Sequence, residues 1–255
     1  MSGSPSRRLE GRIALVTGAS RGIGAAVARR FAAEGAHLIL VARTVGGLEE
    51  IDDEIRSAGG GATLVPMDLG ETEKIDALAA PLLERFGRLD ILVGNAAMLG
   101  RLTPIQLYPP DLWEKVFNLN VTANWRLIRA VDPLLRRSPA GRALFVTSGV
   151  TRRFVPYWGA YAASKAALES LAMTYAAETV NTNVRVNVID PGPTRTAMRL
   201  QAFPGEDKDK LKPPEAVAEA FVALAETGST VHGQWVAADN WPAEGQTAPA
   251  DPSHG

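Results

Sequence analysis

The feature that most constrains the fold is an alternation of short apolar runs with longer helical patterns along the chain. The runs are rich in Val, Ile and Leu and lack polar alternation, which is typical of strands covered on both faces. They are Ile13–Val16, Leu38–Val41, Thr63–Val65, Ile91–Val93, Ala143–Val146, Val184–Val188 and Trp235–Val236. Ala25–Glu34 and Leu48–Ser57 are examples of the helical patterns between them. The alternation requires crossover connections and predicts an α/β fold, a doubly wound sandwich with helices on both faces of a mostly parallel, seven-stranded sheet.

The same alternation predicts one domain flanked by two tails. No linker, repeat or block of like charge interrupts residues 9–239. The polar segments 1–8 and 242–255 are typical of flexible tails, the second because it is rich in Pro and Gly. Segment 1–8 lacks the apolar run of a secretory signal, and no run approaches the roughly 18 apolar residues of a membrane span. We therefore expect a cytoplasmic protein without a membrane partner.

Composition excludes several classes of function. The 27 basic and 28 acidic residues leave a formal net charge of -1, which gives no electrostatic basis for binding nucleic acid. Cysteine is absent, so disulfides, thiol nucleophiles and cysteine-ligated metals are excluded. The three histidines are His37, His232 and His254, and none has carboxylates at a metal-binding spacing. None is placed to serve a serine hydrolase either. We expect no metal site.

A glycine-rich turn follows the first predicted strand directly. It reads Thr17-Gly-Ala-Ser-Arg-Gly-Ile-Gly24, and a helical pattern begins at once. Glycines at these positions let the backbone turn tightly and approach a pyrophosphate, while the helix start offers unpaired amide donors and the positive end of its dipole. A strand before and a helix after are the context that a dinucleotide-binding turn requires.

The residue at the end of the second strand bears on which dinucleotide is bound. An NAD site usually has Asp or Glu about 20 residues beyond the glycines, at the ribose 2′-hydroxyl. Here the segment is Leu40-Val-Ala-Arg43, without a carboxylate. Arg43, with Arg21 in the glycine turn, is suited to pair with a 2′-phosphate. The sequence therefore predicts NADP(H) over NAD(H), with two merely solvated arginines as the alternative.

Tyr161 and Lys165 are the residues best suited to acid–base chemistry. The stretch Tyr161–Ala177 is rich in Ala and Leu without Gly or Pro, so it predicts a helix on which the two side chains share a face. A neighbouring ammonium favours the phenolate, so we expect Lys165 to lower the pKa of Tyr161. Ser148 follows the fifth strand and precedes the tyrosine by thirteen residues.

Together these motifs, with Pro191–Thr196, resemble those of the short-chain dehydrogenases/reductases of ordinary length. The resemblance covers about residues 9–239 and implies a Rossmann-type fold and a catalytic tetrad of Ser148, Tyr161, Lys165 and Asn120. It implies that Ser148 holds the substrate oxygen and Tyr161 gives it a proton. Lys165 would bind the nicotinamide ribose, and Asn120 would retain a water for the proton relay.

The resemblance also implies a set of dinucleotide-binding residues and a homodimer or homotetramer. The set is Gly18, Ser20, Arg21, Gly22, Ile23, Gly24, Arg43, Asp68, Leu69, Asn95, Ala96, Tyr161, Lys165, Pro191, Gly192, Thr194 and Thr196. Two departures are present. Gly94 replaces an asparagine that usually ties neighbouring strands, which predicts a less rigid strand end. Asp239-Asn-Trp241 replaces the usual Asp-Gly-Gly, which bears on the oligomer.

Residues next to the motifs indicate the substrate class. Those expected at the pocket are apolar or aromatic, and they are Met98, Val150, Phe154, Trp158 and Met198. We therefore expect an NADP(H)-dependent oxidoreductase that interconverts a carbonyl and a secondary alcohol, on a hydrophobic or aromatic small molecule or an acyl thioester. A catalytically weak NADP-binding regulatory protein on the same fold is the alternative. The polar segment 194–212 is expected to be a mobile lid.

Overall fold

The computed structural model describes residues 7–240 and contains one seven-stranded sheet. Its strands are β1 Ile13–Thr17, β2 His37–Ala42, β3 Gly61–Pro66, β4 Ile91–Gly94, β5 Arg142–Val146, β6 Arg185–Asp190 and β7 Gln234–Ala237. They lie in the order β3-β2-β1-β4-β5-β6-β7, and every pairing between neighbours is parallel. Each apolar run of the sequence is therefore a strand, and the sheet is wholly rather than mostly parallel.

Helices cover both faces of the sheet. They are α1 Gly22–Ala33, α2 Val45–Ser57, α3 Ala79–Phe86, α4 Pro110–Phe117, α5 Ala123–Arg137, α6 Gly159–Thr179, α7 Ala197–Ala202 and α8 Ala218–Ala225. Along β1, Ala14 and Val16 pack into the core with α1, α2 and α8, whereas Leu15 packs into the core with α3, α5 and α6. Since successive strand residues point to opposite faces, a strand buried on both sides must be apolar throughout. This confirms the doubly wound α/β sandwich.

The strand order changes direction at β1, which pairs with β2 on one side and β4 on the other. The crossovers that leave β1 and β4 therefore diverge to opposite sides. Such a switch point opens a crevice beyond the carboxyl ends of the strands, where ligands of doubly wound folds bind. The glycine turn after β1 lies at this crevice, so the predicted dinucleotide-binding turn is where doubly wound folds usually bind their ligands.

The amino-terminal boundary differs from the expectation of a tail over 1–8. Arg7 and Arg8 belong to the described residues, and Arg8 is held by ion pairs with Glu219 of α8 and with Glu226 just beyond it. The predicted tail at 242–255 lies outside the described residues. Within residues 7–240, no helix is both long enough and apolar enough to cross a membrane.

Two buried arginines close the amino-terminal edge of the sheet. Arg142 donates to the carbonyls of Gly141, Glu226, Thr227 and Ser229, at 2.8–3.2 Å. Arg12 donates to the carbonyls of residues 90, 140 and 225. Burial lowers the pKa of each guanidinium to about 10, which leaves both cationic at neutral pH. The two side chains satisfy carbonyls where helices and turns end.

We expect Arg142→Met to lower the free energy of unfolding by about 3 kcal/mol, because a methionine fills the space but leaves the Glu226, Thr227 and Ser229 carbonyls without donors. Urea denaturation followed by circular dichroism measures the change. Arg137→Met, at an exposed position at the end of α5, is the control and is expected to stay within about 0.5 kcal/mol of the parent. An equal effect of the two substitutions would contradict the role given to Arg142.

Candidate active site

A cavity of about 1390 Å³ opens at the carboxyl ends of the strands. It extends from the turn between β1 and α1, past the ends of β4 and β5, to the segment that follows β6. Pockets for one small ligand usually measure about 300–1,000 Å³. This cavity is large enough for a dinucleotide and a second small molecule together.

The glycine turn lets the backbone of α1 pack against the end of β4. Gly18 has a φ of +65°, and a Cβ there would lie 2.9 Å from Asn95 Nδ2 and 3.1 Å from Ala96 Cα. A Cβ at Gly24 would overlap the Gly18 carbonyl oxygen and lie 2.6 Å from Asn95 Nδ2. Both positions therefore require glycine, one for its backbone conformation and close contact, the other for close contact alone.

The first turn of α1 is suited to bind an anion. Arg21 at the N-cap provides no side-chain hydrogen bond to the helix, and no acidic residue occupies the first turn. The first amide groups of a helix have no partner within the helix, and they carry the positive end of its dipole. Because Gly22 and Ile23 line the cavity, these donors lie beside it. This arrangement fits the pyrophosphate of a dinucleotide.

Thr17 and Asn95 tie the end of β1 to the segment after β4. The Thr17 hydroxyl donates to the Val93 carbonyl and accepts from the Asn95 and Ala96 amides, at 2.9–3.1 Å. Asn95 Nδ2 in turn donates to the Thr17 carbonyl at 2.8 Å. These bonds hold the two sides of the crevice at a fixed separation. The nearby Gly94 leaves no gap, since a Cβ there would lie 2.6 Å from Phe145 Cδ1 and also meet Asn124.

Arg43 lines the cavity together with Arg21 and Asp68. Its side chain is 70% exposed, and Nη1 lies 3.8 Å from Asp68 Oδ2. An exposed pair at this distance contributes little to stability, so the guanidinium is free to turn toward a phosphate. Ser20 and Leu69 also line it. The expected 2′-phosphate cations are therefore at the cavity rather than elsewhere on the surface.

Ser148, Tyr161 and Lys165 meet at the middle of the cavity. Ser148 lies two residues beyond β5, and its side chain shares a hydrogen bond with Tyr161. Lys165 is buried, donates from Nζ to the Val146 carbonyl at 2.8 Å, and lies 5.8 Å from the centroid of the Tyr161 ring. The helix α6 therefore presents the tyrosine and the lysine on one face, as their spacing predicts.

The pKa values of this group differ from the expectation. Burial raises the pKa of Tyr161 to about 12, the hydrogen bond with Ser148 lowers it, and the charge of Asp190 raises it. Burial also lowers the pKa of Lys165 to about 8, against the opposing charge of Glu169. The net shift of the Tyr161 pKa is therefore opposite in direction to the one predicted. Desolvation of the phenolate is the largest cause of the shift, and Lys165 is not among its causes.

Asn120 lies in a five-residue π-helical turn, Asn118–Thr122, between α4 and α5. It is fully buried and does not line the cavity. Its Oδ1 accepts from the Met98 amide at 2.9 Å, and its Nδ2 donates to the Met98 carbonyl at 3.0 Å and to Ser164 Oγ at 2.9 Å. The asparagine thus joins the segment after β4 to α6. Such interruptions of a helix are frequent at functional sites.

The structure brings most of the predicted site residues to this one cavity. The lining includes Ser148, Gly18, Ser20, Arg21, Gly22, Ile23, Arg43, Asp68, Leu69, Asn95, Ala96, Tyr161, Lys165, Pro191, Gly192, Thr194, Thr196, Met98, Val150, Trp158 and Met198. Gly24 and Asn120 do not line the cavity, but they contact Gly18 and Met98, which do. The prediction for Phe154 is wrong, because its side chain is fully exposed and borders a separate surface groove.

An apolar and aromatic wall borders the cavity beside Tyr161. Val150 and Tyr161 are buried in a small cluster against which Trp158 and Met198 pack. The Trp158 ring lies edge-on to Tyr161 at 5.8 Å and 5.6 Å from the ring of Phe203. Phe203 lines the cavity where Phe154 was expected to do so. The site next to the tyrosine hydroxyl is therefore bordered by apolar surface.

The segment 194–212 is folded over this wall. It contains α7, and its two ends pair as a parallel bridge between Thr194 and Lys212. Arg199 makes a two-pronged ion pair with Glu206 across its turn. Thr196 caps α7 by accepting from the Arg199 amide at 3.2 Å. The bridge, the ion pair and the cap thus hold the segment together, and its motion as a lid stays a prediction.

Three residues near the site were not found from the sequence. Thr17 lies in the glycine motif, Asp190 immediately precedes Pro191, and Glu169 lies one helical turn beyond Lys165. Thr17 and Asp190 could have been found from the sequence, because each is a polar residue within or directly beside a recognised motif. No cluster of three or more histidine, aspartate or glutamate side chains that could hold a metal ion occurs within residues 7–240.

The class of protein that the fold and the cavity define agrees with comparisons to known proteins. The family model of the short-chain dehydrogenases matches residues 12–207, and the chain belongs to that family. It is therefore an oxidoreductase acting on CH–OH groups. The chain is 39% identical over 219 residues to the uncharacterized oxidoreductase YciK of Escherichia coli K12, which covers 85% of this chain and 86% of that protein.

Two solved structures are similar over nearly the whole chain. A short-chain dehydrogenase from Pseudomonas syringae has 40% identity and a TM-score of 0.88, covering 92% of this chain and 97% of that one. A short-chain dehydrogenase from Shigella flexneri 2a, crystallised with NADP, has 38% identity and a TM-score of 0.88, covering 92% and 99%. The arrangement of β1 to β7 is therefore that of its family.

Proposed function

We propose that this protein is an NADP(H)-dependent reductase that interconverts a carbonyl and a secondary alcohol. The observation that carries the proposal is the meeting of Ser148, Tyr161 and Lys165 in one cavity with the glycine turn. A hydroxyl, a phenol and an ammonium beside a dinucleotide site are the groups that proton transfer to a substrate oxygen requires. The proposed activity belongs to the oxidoreductase class already established.

The residues present fit a dinucleotide with a 2′-phosphate. The amide groups at the start of α1 would bind the pyrophosphate, and Arg43 with Arg21 would pair with the 2′-phosphate. Asp68 and Leu69 would border the adenine. The Shigella flexneri relative with NADP bound supports this choice. NADPH, when bound, supplies the hydride that reduces the carbonyl carbon.

Ser148, Tyr161 and Lys165 would bind the substrate oxygen and supply its proton. The Ser148 hydroxyl donates to the carbonyl oxygen and orients it toward Tyr161. Because its pKa is raised to about 12, Tyr161 is protonated throughout the neutral range and donates its proton as charge develops on the oxygen. Lys165, held at the Val146 carbonyl, would bind the nicotinamide ribose and stabilise the phenolate that remains.

Asn120 would support the return of a proton to the tyrosine. Its side chain fixes both backbone groups of Met98, and Ser164, which it contacts, donates to the Tyr161 carbonyl at 2.8 Å. The Asn120 carbonyl is engaged by Asn124 Nδ2 at 2.9 Å, four residues later along the chain. We propose that this fixed geometry retains a water on the relay to Lys165.

The lining favours an apolar substrate. The wall formed by Val150, Trp158, Met198 and Phe203 suits a hydrophobic or aromatic carbonyl compound, or the acyl portion of a thioester. A sugar would leave its hydroxyls without partners at this wall. The homodimer or homotetramer implied by the resemblance belongs to the same proposal, and sedimentation velocity measures it.

The test is the oxidation of NADPH by purified protein in the presence of a panel of aldehydes, ketones and acyl thioesters. We expect turnover with aromatic or long aliphatic carbonyls and none with free sugars. Calorimetric titration with NADP⁺ is run in parallel. Binding of NADP⁺ without turnover on any member of the panel would favour the catalytically weak regulatory protein instead.

Arg43→Ser is expected to weaken NADP⁺ binding about 30-fold and to leave NAD⁺ binding within about twofold of the parent. The loss reflects one charge-assisted contact to the 2′-phosphate, and it leaves the Asp68 carboxylate facing that phosphate alone. Titration calorimetry with both dinucleotides measures it, and Arg137→Ser is the matched control at an exposed site. Equal weakening of the two dinucleotides would contradict the assignment of Arg43.

A further inference from the structure

Glu169 continues the row of side chains that begins with Tyr161 and Lys165. Residues four apart on a helix lie above one another, so Tyr161, Lys165 and Glu169 share one face of α6. The Glu169 side chain is only 15% exposed. A glutamate on the buried face of a helix requires partners, and the partners of Glu169 come from other elements of the protein.

One oxygen of this carboxylate collects three donors. Glu169 Oε1 accepts from the Thr147 hydroxyl, from the Thr151 hydroxyl at 2.7 Å, and from Trp235 Nε1 at 3.1 Å. Thr147 and Thr151 stand on either side of Ser148 in the chain, and Thr151 Oγ1 also lies 3.0 Å from the Ser148 carbonyl. The carboxylate thus holds the backbone on both sides of the serine.

The charges around Glu169 are asymmetric. Its other oxygen lies 4.0 Å from Arg152 Nη2, and this guanidinium is 58% exposed and stacked 4.9 Å from the Trp235 ring centroid. Toward the interior, the buried Lys165 lies one helical turn before Glu169 on the same face of α6, and its ammonium donates to the Val146 carbonyl. Asp190 also lines the cavity, and its charge acts on Tyr161 rather than on Lys165. The buried ammonium therefore has a carboxylate one helical turn away on the same helix face.

We propose that Glu169 is a positioning residue that keeps Lys165 protonated and holds the Ser148 segment in place. The inference deepens the proposed function, on which it rests. The pKa of Lys165 agrees with it, because burial lowers this pKa and the charge of Glu169 raises it. Glu169 itself lines no part of the cavity and touches no substrate.

The discriminating substitution is Glu169→Gln, which removes the charge, keeps the size and one acceptor oxygen, and puts an amide NH2 in place of the other oxygen. Without that charge, the pKa of Lys165 falls from about 8 by about one unit. The alkaline limb of the reduction rate, which requires the protonated lysine, then moves to lower pH by about one unit. At pH 6 the rate stays within about twofold of the parent, and at pH 8.5 it is about eightfold lower.

Binding of NADP⁺ provides a second readout that does not depend on turnover. Its affinity is expected to decline with rising pH as Lys165 loses its proton, and this decline begins about one pH unit lower in Glu169→Gln. Parent protein that binds NADP⁺ but reduces no carbonyl would overturn the proposed function, and the pH dependence of binding would still decide the role of Glu169.

Two matched variants separate the charge from the hydrogen bonds. Glu178→Gln removes an exposed charge from the same helix and is expected to keep the parental pH profile and rate. Thr151→Val removes one donor to the carboxylate and is expected to lower the rate about equally at every pH, without moving the alkaline limb. A shift in Thr151→Val as large as in Glu169→Gln would overturn the assignment of the effect to charge.

The outcome that overturns the proposal is an unchanged alkaline limb in both rate and NADP⁺ binding for Glu169→Gln. Should that variant fail to fold, Glu169→Asp takes its place, because it keeps the charge and draws the carboxylate back from the two threonines. We then expect the parental pH profile with a lower rate. A displaced profile in Glu169→Asp would contradict the electrostatic role, and a melting curve of each variant checks its fold.

Discussion

Tyr161→Phe is expected to lower the turnover number of carbonyl reduction about 1,000-fold while NADP⁺ binds as in the parent. The buried phenol lines the cavity and is the proposed proton donor, and positioned proton transfer contributes about 10²–10⁴ to a rate. Phenylalanine keeps the ring against Trp158 and Val150, so the apolar wall is retained. Single-turnover reduction by NADPH, with calorimetric titration of NADP⁺, measures the two quantities separately.

The matched control is Tyr157→Phe. Tyr157 lies four residues earlier, is exposed and does not line the cavity, so its hydroxyl has no part in the proposed chemistry. Its turnover is expected to stay within about twofold of the parent. If Tyr161→Phe retained a tenth or more of the parental turnover, the proton would have to come from another group, and the proposed mechanism would fail. Because the substitution removes only a hydroxyl, the melting temperature should remain close to that of the parent.

The sequence alone predicted the sheet because strands that are buried on both faces are continuous apolar runs. Leu38–Val41 and Ala143–Val146 are apolar without alternation, and both lie in strands of the sheet. Even the short run at Trp235 marked the edge strand β7. The helix of Tyr161 and Lys165 was equally accessible, since four-residue spacing is a property of the chain itself.

Side-chain direction and burial were not accessible in the same way. Phe154 is near the site in sequence, yet it points into solvent, and Phe203 from a distant segment takes the expected place. The pKa of Tyr161 depends on how deeply the phenol is buried, which spacing does not report. The prediction considered only the charge of Lys165 and missed desolvation, which is the largest cause of the observed shift.

Glu169 is a residue near the site that the sequence analysis did not single out. A glutamate on a helix is usually solvated, and its position beyond Lys165 gave no reason to single it out. Its donors are Thr147 after β5, Thr151 before α6 and Trp235 in β7. These residues meet only because β5, β6 and β7 lie side by side in the sheet. A group of side chains that the sheet topology brings together can be identified only from the fold, whereas a group set by local spacing on one helix can be predicted from the sequence.

Gly24→Ala is expected to weaken NADP⁺ binding about 100-fold and to lower the free energy of unfolding by about 2 kcal/mol. The added methyl group would overlap the Gly18 carbonyl oxygen and lie 2.9 Å from the Gly18 carbonyl carbon. Because it meets backbone, α1 must move away from the turn, and its amide donors move with it. Loss of one or two hydrogen bonds to a charged group, each contributing about 1.5–3 kcal/mol, accounts for a decrease in affinity of this size.

Gly46→Ala provides the opposite expectation in the same half of the molecule. Gly46 lies in α2, and no atom of the described residues lies within 4 Å of the place its added methyl group would take, so alanine adds helix propensity without a clash. We expect a gain of about 0.5–1 kcal/mol in the free energy of unfolding and unchanged NADP⁺ binding. Calorimetric titration and urea denaturation measure both variants. If Gly24→Ala bound NADP⁺ with the affinity of the parent, movement of α1 away from the glycine turn would not affect binding. The pyrophosphate would then have to be held mainly by groups other than the first amides of α1.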